Sequence, residues 1–302
     1  MKQTGNGPDA LCVVICDFNG WEETRRCLTA LFDSSSTRAH VILVDHGTSS
    51  ETAEGLARHF PRVEHLRASP NHWWSGATNC GIRRALAEGF EQIMLLNNDC
   101  YAHPDMIRRL LDHSHREPHS VIAPVQAEYD TGKILATTSS TCLLLGFTSL
   151  GSPHRQAGAR IETKLAPTRN IVGGRGVVIW SNIFDQVGLL DEARLPHYGA
   201  DHDFYLRCRK RGVALKIAMD CKVYVDRQRT SISETLYGNG WAGYRRALSD
   251  RKSHRNLQHQ IELYRKHYPI KGLHWLGISL FLIRFTAVYW ARSFWLWART
   301  AF

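Results

Sequence analysis

Two segments concentrate the side chains that could do chemistry: residues 95–100, LLNNDC, and residues 196–212, PHYGADHDFYLRCRKRG. Both set carboxylates, Asp99 in the first and Asp201 and Asp203 in the second, against apolar stretches. Asp17-Phe18-Asn19 and Asp45-His46-Gly47 repeat the arrangement earlier in the chain, each directly after a short apolar run. A carboxylate at such a junction can hold a hard divalent cation, which in turn can hold phosphate oxygens. The pattern points to a site for a nucleoside diphosphate and a metal ion.

The elements that must position these residues are legible around them. Residues 11–16, 41–44 and 93–96 are continuous apolar runs, as expected of parallel strands buried on both faces. Residues 22–32, 50–60 and 76–89 are long enough for crossover helices, and Ser49 or Ser50 is placed to cap the second. The expectation is an α/β fold with a mostly parallel central sheet, flanking helices and right-handed crossovers. Ligands of such sheets bind beyond the carboxyl ends of the strands. Here those ends carry Asp17 to Asn19, Asp45 to Gly47 and Asn97 to Asp99, so three polar clusters should share one rim.

Several functions are excluded by what is missing. No G-x-G-x-x-G follows the first strand and no G-x-x-x-x-G-K-[ST] occurs, which argues against a dinucleotide dehydrogenase or a P-loop hydrolase. Gly173-Gly174-Arg175-Gly176 precedes the strand-like run 177–180 instead of opening a helix, and reads as a turn with close backbone approach. The 8 cysteines form no C-x-x-C pair and the 16 histidines no H-E-x-x-H, so reduced thiols of a cytoplasmic protein are expected, not a zinc site. The apolar run 11–16 is too short for the core of a signal peptide. At 302 residues the chain allows one large domain plus an appendage. Its net charge of +10 is uneven: residues 204–302 hold 19 Lys and Arg against 5 Asp and Glu, whereas residues 1–203 hold 19 against 23. The basic last third points to an anionic partner.

Taken in order, these motifs resemble those of family 2 glycosyltransferases with the GT-A fold. The resemblance rests on Asp17-Phe18-Asn19-Gly20, Val44-Asp45-His46-Gly47-Thr48, the stretch from Asn71 to Gly81, Leu96-Asn97-Asn98-Asp99, Gly174-Arg175-Gly176, and the late segment from Val187 to Phe204. It runs from about residue 11 to about residue 226 and is closest in flavour to bacterial rhamnosyltransferases of surface-polysaccharide assembly. It implies a dTDP- or UDP-sugar donor, a divalent cation (Mg2+ or Mn2+) and inversion at the anomeric carbon. Asp99 matches the family's metal-binding aspartate, although Asn97 and Asn98 stand where relatives often have a second carboxylate. Asp45 matches the residue that contacts the base or ribose, with Phe18 and Asn19 at the same end. An ordinary strand-end aspartate capping a turn is the alternative for Asp45.

Asp201 matches the family's catalytic base, which takes the acceptor hydroxyl's proton. Its motif begins with Ala200 in place of an acidic residue. His202 could serve the same role on chemistry alone, and helix N-terminal acids favoured by the dipole would also account for Asp201 and Asp203. Trp74, Gly76, Asn79, Asn98, Arg175 and Asp203 complete the expected substrate and nucleotide contacts. Core packing is the competing reading for Trp74, helix initiation for Gly76 and Asn79, and a surface position for Arg175. Relatives often carry a further metal-binding histidine late in the domain; here Asp226 stands in that stretch.

Residues 130–170 read as a connecting or mobile segment beside the acceptor side. Residues 272–283 form the longest charge-free run of the C-terminal piece, only 12 residues long, short of the ~20 needed to span a bilayer. At 100° per residue His274, Arg284, Arg292 and Arg299 fall on one side of a helix, and the other faces carry Trp275, Leu276, Leu280, Phe281, Ile283, Trp290, Phe294, Trp295 and Trp297. Such a surface suits amphipathic helices lying in a membrane interface. A helix packed on the domain or across a homodimer is the alternative. The basic stretch 245–266 fits attraction to anionic lipid.

These readings converge on an inverting glycosyltransferase acting on a glycan or lipid-linked acceptor at the cytoplasmic face of the inner membrane, without nucleic acid. The expected divisions are a flexible tail at 1–10, a GT-A domain at 11–227 and a basic, Trp-rich region at 228–302. A nucleotidyltransferase and a non-catalytic scaffold of a glycan-assembly complex are the rival readings.

Overall fold

Leu11–Asp17 is buried along its whole length, and this strand, β1, sits inside the main sheet. The computed structural model describes residues 11–33, 39–151, 164–226, 237 and 239–301. The expected tail at 1–10, residues 152–163 of the connecting segment and the boundary at 227/228 lie outside the described residues. The other strands are β2 (His40–Asp45), β3 (Glu64–Arg67), β4 (Gln92–Asn97), β5 (Cys100–Ala102), β6 (Ser120–Glu128), β7 (Ile134–Ala136), β8 (Ser139–Cys142), β9 (Phe147–Gly151), β10 (Leu165–Pro167), β11 (Arg175–Trp180) and β12 (Ala214–Val225). The helices are α1 (Trp21–Phe32), α2 (Glu51–His59), α3 (Trp73–Ala87), α4 (Met106–Arg116), α5 (Ser181–Val187), α6 (Ala200–Lys210), α7 (Gly240–Ser249), α8 (Leu257–His267) and α9 (His274–Ala301).

The main sheet runs β10-β12-β6-β11-β4-β1-β2-β3, with β5 on β12 and β7 on β6. β4, β1, β2 and β3 are parallel, so their carboxyl ends form one rim. The sheet is mixed beyond them, because β11 enters antiparallel between β4 and β6. This reversal matters: β11 begins where β4 ends, so its first residue, Arg175, pairs with Leu96 at the same rim. A bulge follows at Gly176, whose φ of 78° favours glycine. β12 runs parallel to β6, and its last residue, Val225, pairs with Cys100 of β5. Asp99 and Asp226, the residues flanking that pair, are thereby neighbours.

Apolar side chains cover both faces of the sheet. Val14, Val44, Leu95 and Val177 pack with α3, α5 and α6, whereas Val13, Leu43, Met94 and Val178 pack with α1 and α4. Full burial of each such side chain contributes about 1.5–3 kcal/mol. The expected crossover helices form with shifted ends, and Ser50 makes no side-chain cap bond to α2. Instead Asn19 Oδ1 accepts the N–H groups of Thr48 and Ser49, at 2.8 and 3.0 Å, tying that loop to the end of β1. β3 was not legible in the sequence: it has only four residues, alternates between half-buried and exposed, and pairs with β2. The eight cysteines are free.

The described part of the connecting segment forms a two-stranded sheet, β8–β9, and a turn at Leu143–Leu145. α9 is one helix of 28 residues, about 42 Å long at 1.5 Å per residue. Ile278, Phe281, Phe285 and Tyr289 bury one face of it on the protein, while Leu276, Ile283, Phe294, Trp295 and Trp297 stay exposed. The expected outward arginine side is corrected at Arg284, whose guanidinium turns inward to lie 3.8 Å from the Phe147 ring centroid and to donate to Gly146 O. No helix among the described residues is long and apolar enough to cross a membrane.

Asp17 fixes the rim from below. Its carboxylate is fully buried and accepts from Gly20 N, Thr24 Oγ1 (2.7 Å), Thr52 Oγ1 (2.7 Å) and Asn98 Nδ2 (3.0 Å). Removing the acceptor strands all of these donors, so Asp17→Ala is expected to lower the unfolding free energy by about 3 kcal/mol or more. Denaturant titration checks this, and an unchanged midpoint would contradict it.

Candidate active site

The rim is assembled from the ends of β1, β2 and β4, the start of β11, the end of β12 and the first turn of α6. Asp99 follows β4, and Asp226 N donates to its carbonyl at 2.9 Å. Burial pushes the Asp99 carboxyl above its ordinary range and the Asp226 charge adds to the shift, while Arg175 opposes it. Arg175 Nη1 donates to Gln126 Oε1 at 2.7 Å, and its Nε is buried without a hydrogen-bond partner among the described residues.

Asp201 lies in the first turn of α6, after Gly199 in the left-handed region. Its Oδ2 accepts Gly173 N at 2.9 Å, and Tyr205, one turn on, donates its hydroxyl to Gly173 O at 2.9 Å. The glycine turn that presents Arg175 is therefore held at both its N–H and its C=O by α6. Tyr198 completes the group: burial raises its phenol, Asp99 and Asp201 reinforce the shift, and Arg175 opposes it.

The structure brings Asp99, Arg175, Asp201 and Asp226 to one rim, and gives several other expected site residues different work. Asn98 donates to Asp17 and to Thr24, both at 3.0 Å; a carboxylate there would face buried Asp17, which gives a physical reason for an amide. Asn79 is fully buried and exchanges hydrogen bonds with the backbone of Leu190 at 2.9 and 3.0 Å. With Ser75, which donates to Leu195 O, it pins the segment leading to α6 instead of facing a diphosphate. Asn19 joins two loops, as described above. Asp203 corrects an expectation. It is wholly enclosed, accepting from Arg207 (2.8 Å), Lys266 (2.9 Å) and His267 (2.8 Å), so it cannot touch a substrate in this arrangement.

Asp45 is also buried, with Oδ1 on Gly47 N and Oδ2 on Arg67 and His65. Phe18 is exposed at the rim, 5.2 Å from the His46 ring. Trp74 is half-buried against the core, its ring beside Gly174, where a Cβ would come within 3.1 Å of it. Gly76 lies under His72 and Glu192 at the start of α3. His202 Nε2 meets Thr141 Oγ1 at 2.7 Å, turned toward β8, and burial pushes its pKa down to about 4.

One part of the rim was missed by reading the sequence. The loop between α7 and α8, residues 250–256, returns from the C-terminal region to the strand ends. Lys252 Nζ stands 5.8 Å from the Phe18 ring centroid, Arg251 lies 5.6 Å over Trp73, and the His254 ring is 3.6 Å from that of Tyr198. The density of Arg, Lys and His in 245–266 was the available signal, and the sequence could not say that part of it faces the site. Asn256 holds the loop, donating to Ser249 O and Asp250 O and capping α8 through His259 N.

Two groups of three potential metal ligands occur among the described residues: His113, Asp220 and Cys221; and His40, Glu64 and Glu88. Neither is at this rim. Arg109 reaches Asp220, and Arg84 bridges Glu64 and Glu88, so cationic side chains already balance both. At the rim, Asp99 and Asp226, joined through the backbone, are the carboxylates that could hold a cation. Two neighbouring carboxylates, one held above its ordinary pKa, fit a hard cation that takes its remaining oxygens from phosphate and water.

The profile described as "Glycosyl transferase family 2" matches residues 12–166. The low-salt glycan biosynthesis hexosyltransferase Agl10 of Haloferax volcanii is 23% identical over 237 residues, which is 78% of this chain and 72% of that protein. The dTDP-rhamnosyl transferase RfbF of Shigella flexneri is 22% identical over 210 residues, 70% of this chain and 67% of that one. Among solved structures, GalNAc-T7 with UDP, GalNAc and Mn2+ superposes with a TM-score of 0.61 at 15% identity, covering 89% of this chain and 54% of that one. S. aureus TarS gives 0.54 at 12%, covering 87% and 44%. The chain thus spans about half the length of these solved structures, and the likeness establishes a GT-A fold.

Buried histidines give the site a pH signature. Burial pushes His197 and His202 down to about 4 from 6.5. The unfolded chain therefore takes up these protons first, and stability is lost as pH falls from about 6.5 toward 4. The urea midpoint is expected to be lower at pH 5 than at pH 7, and less so in His202→Gln. A midpoint that does not move between those pH values would contradict it.

Proposed function

Because the chain belongs to glycosyl transferase family 2, we propose that it transfers one sugar, with inversion, from a dTDP- or UDP-sugar to a glycan or lipid-linked acceptor in polysaccharide biosynthesis. Residues 11–227 are read as the transferase unit and 228–302 as an accessory region. The observation that carries the proposal is the convergence of Asp99, Arg175 and Asp201 around Tyr198, with Asp226 hydrogen-bonded to the backbone of Asp99. The relatives named for hexosyl and dTDP-rhamnosyl transfer, and a structural neighbour crystallised with UDP and Mn2+, support the donor class.

Asp201 is the general base. Its carboxylate takes the proton of the acceptor hydroxyl as that oxygen bonds to the anomeric carbon and the bond from that carbon to the diphosphate oxygen breaks. Gly173 N–H orients Asp201 through Oδ2 and leaves Oδ1 for the acceptor. Arg175 places positive charge beside the leaving diphosphate, and its unpartnered Nε is a donor for a phosphate oxygen. Asp99 and Asp226 would hold Mg2+ or Mn2+, which supplies neutralisation of the leaving group when bound. Phe18 lines the nucleotide end, and enclosed Asp45 keeps Arg67 and the Gly47 turn in place beside it.

The exposed apolar face of α9, with Trp295 and Trp297 toward its end, is read as lying in the interface of the cytoplasmic membrane. A homodimer across that face is the alternative.

A panel of dTDP-, UDP- and GDP-sugars assayed for nucleoside diphosphate release with Mn2+ or Mg2+ tests the function. Wild type is expected to release nucleoside diphosphate from one donor, and Asp201→Asn to lose about 10²–10⁴-fold in kcat while still binding the nucleotide. Nucleotide binding by neither protein would favour the scaffold reading.

A further inference from the structure

Two imidazoles from different parts of the chain hold the ring of Tyr198. His197 meets it edge-on with 4.4 Å between ring centroids, and His254, in the loop between α7 and α8, lies 3.6 Å from it. Burial pushes both imidazoles down to about 4, so at neutral pH they pack on the phenol as uncharged rings. The loop that brings His254 is itself fixed on either side of it: Asp250 Oδ1 accepts Lys252 N at 2.8 Å, and Ser253 Oγ accepts Arg255 N at 3.0 Å. Tyr198 is half-buried, and its hydroxyl has no hydrogen-bond partner among the described residues. A phenol seated this firmly with its polar end unused is suited to a ligand.

The charges around it identify the part of the ligand it meets. Asp99, Arg175 and Asp201 act on the phenol, ahead of Asp250 in the loop. Asp201 is three residues further on, in the first turn of α6, and its Oδ2 holds Gly173 N in the turn that leads to Arg175. Asp99 and Arg175 mark the side of the leaving diphosphate, and Asp201 marks the side of the entering hydroxyl. An inverting displacement sets those two in line on opposite sides of the anomeric carbon. A side chain close to both marks therefore stands beside the sugar in transfer, whereas the nucleotide end is at Phe18. Burial and the two carboxylates keep the phenol protonated, so it donates where Asp201 accepts.

We propose that Tyr198 is a specificity-determining residue for the donor, its hydroxyl donating to a hydroxyl oxygen of the transferred sugar, and that His254 is the positioning residue that fixes it there. The assignment rests on the transferase reading and deepens it, because it makes a loop of the C-terminal region part of the donor-sugar site.

Equilibrium titrations of the full chain with UDP, dTDP, UDP-glucose and dTDP-rhamnose in Mn2+ test it, with wild type, Tyr198→Phe, His254→Ala and His254→Phe compared. Tyr198→Phe keeps the ring that packs on both imidazoles, and melting curves verify every variant. The quantity read is the affinity of a nucleotide-sugar relative to that of its bare diphosphate. This ratio is expected to fall about three- to tenfold in Tyr198→Phe, with the bare diphosphate bound as in wild type. His254→Ala is expected to lower the ratio similarly, and His254→Phe, which restores a flat ring, to recover it. An unchanged ratio in Tyr198→Phe, an equal loss for nucleotide-sugar and bare diphosphate, or a wild type that binds the diphosphates but neither nucleotide-sugar would overturn the assignment. A wild-type ratio in His254→Ala, or His254→Phe no better than His254→Ala, would overturn the positioning role. Failure of wild type to bind either diphosphate would instead sink the transferase reading, which an unchanged ratio over intact diphosphate binding would leave standing.

Discussion

The seating of α6, and with it of Asp201, depends on one buried carboxylate. Asp203 holds Arg207 on its own helix and Lys266 and His267 at the end of α8, and these contacts keep it ionised well below the usual carboxylate range in spite of burial. Lys266 also reaches Asp191 at 2.5 Å, in the segment that α3 pins through Ser75 and Asn79. A buried ion pair of this kind adds little net stability over a well-packed apolar replacement, yet losing one partner leaves the other charged and unpaired. Its effect is therefore on geometry. It fixes α6, and with it Asp201, against the C-terminal helices, and so determines where the loop carrying Lys252, His254 and Arg255 meets the strand ends.

The division of labour among the acidic residues follows from burial. Asp17, Asp45 and Asp203 are enclosed and have donors for both oxygens, so they build the site without facing it. Asp99 and Asp226 sit together at the end of the β5–β12 pair, where burial and the Asp226 charge raise the Asp99 carboxyl and Arg175 opposes them. The amide at Asn98 belongs to the same logic, because it donates to Asp17 where a carboxylate would repel it.

Much of this was legible in the sequence, and the limits are physical. Continuous apolar runs specify buried parallel strands, so β1, β2 and β4 and the polar residues after them could be placed on one rim. β11 is also an apolar run, but its direction depends on which neighbours it pairs with, and no periodicity encodes that. The functions of Asn79 and Asp203 depended on partners far away in sequence, Leu190 and His267, so residue type could suggest a contact but could not say with what. For α9 the apolar surplus was visible; that one face packs on the protein and Arg284 turns inward emerged only from tertiary contacts with Gly146 and Phe147.

The central claim is that a transferase site for a diphosphate and a cation is built on Asp99 and Asp226. Calorimetric titration of dTDP or UDP with Mn2+ into wild type and into Asp99→Asn and Asp226→Asn tests it most directly. The account predicts Mn2+-dependent binding in wild type, weakened at least about tenfold by either substitution. Binding that is indifferent to Mn2+, or that survives both substitutions unchanged, would contradict it.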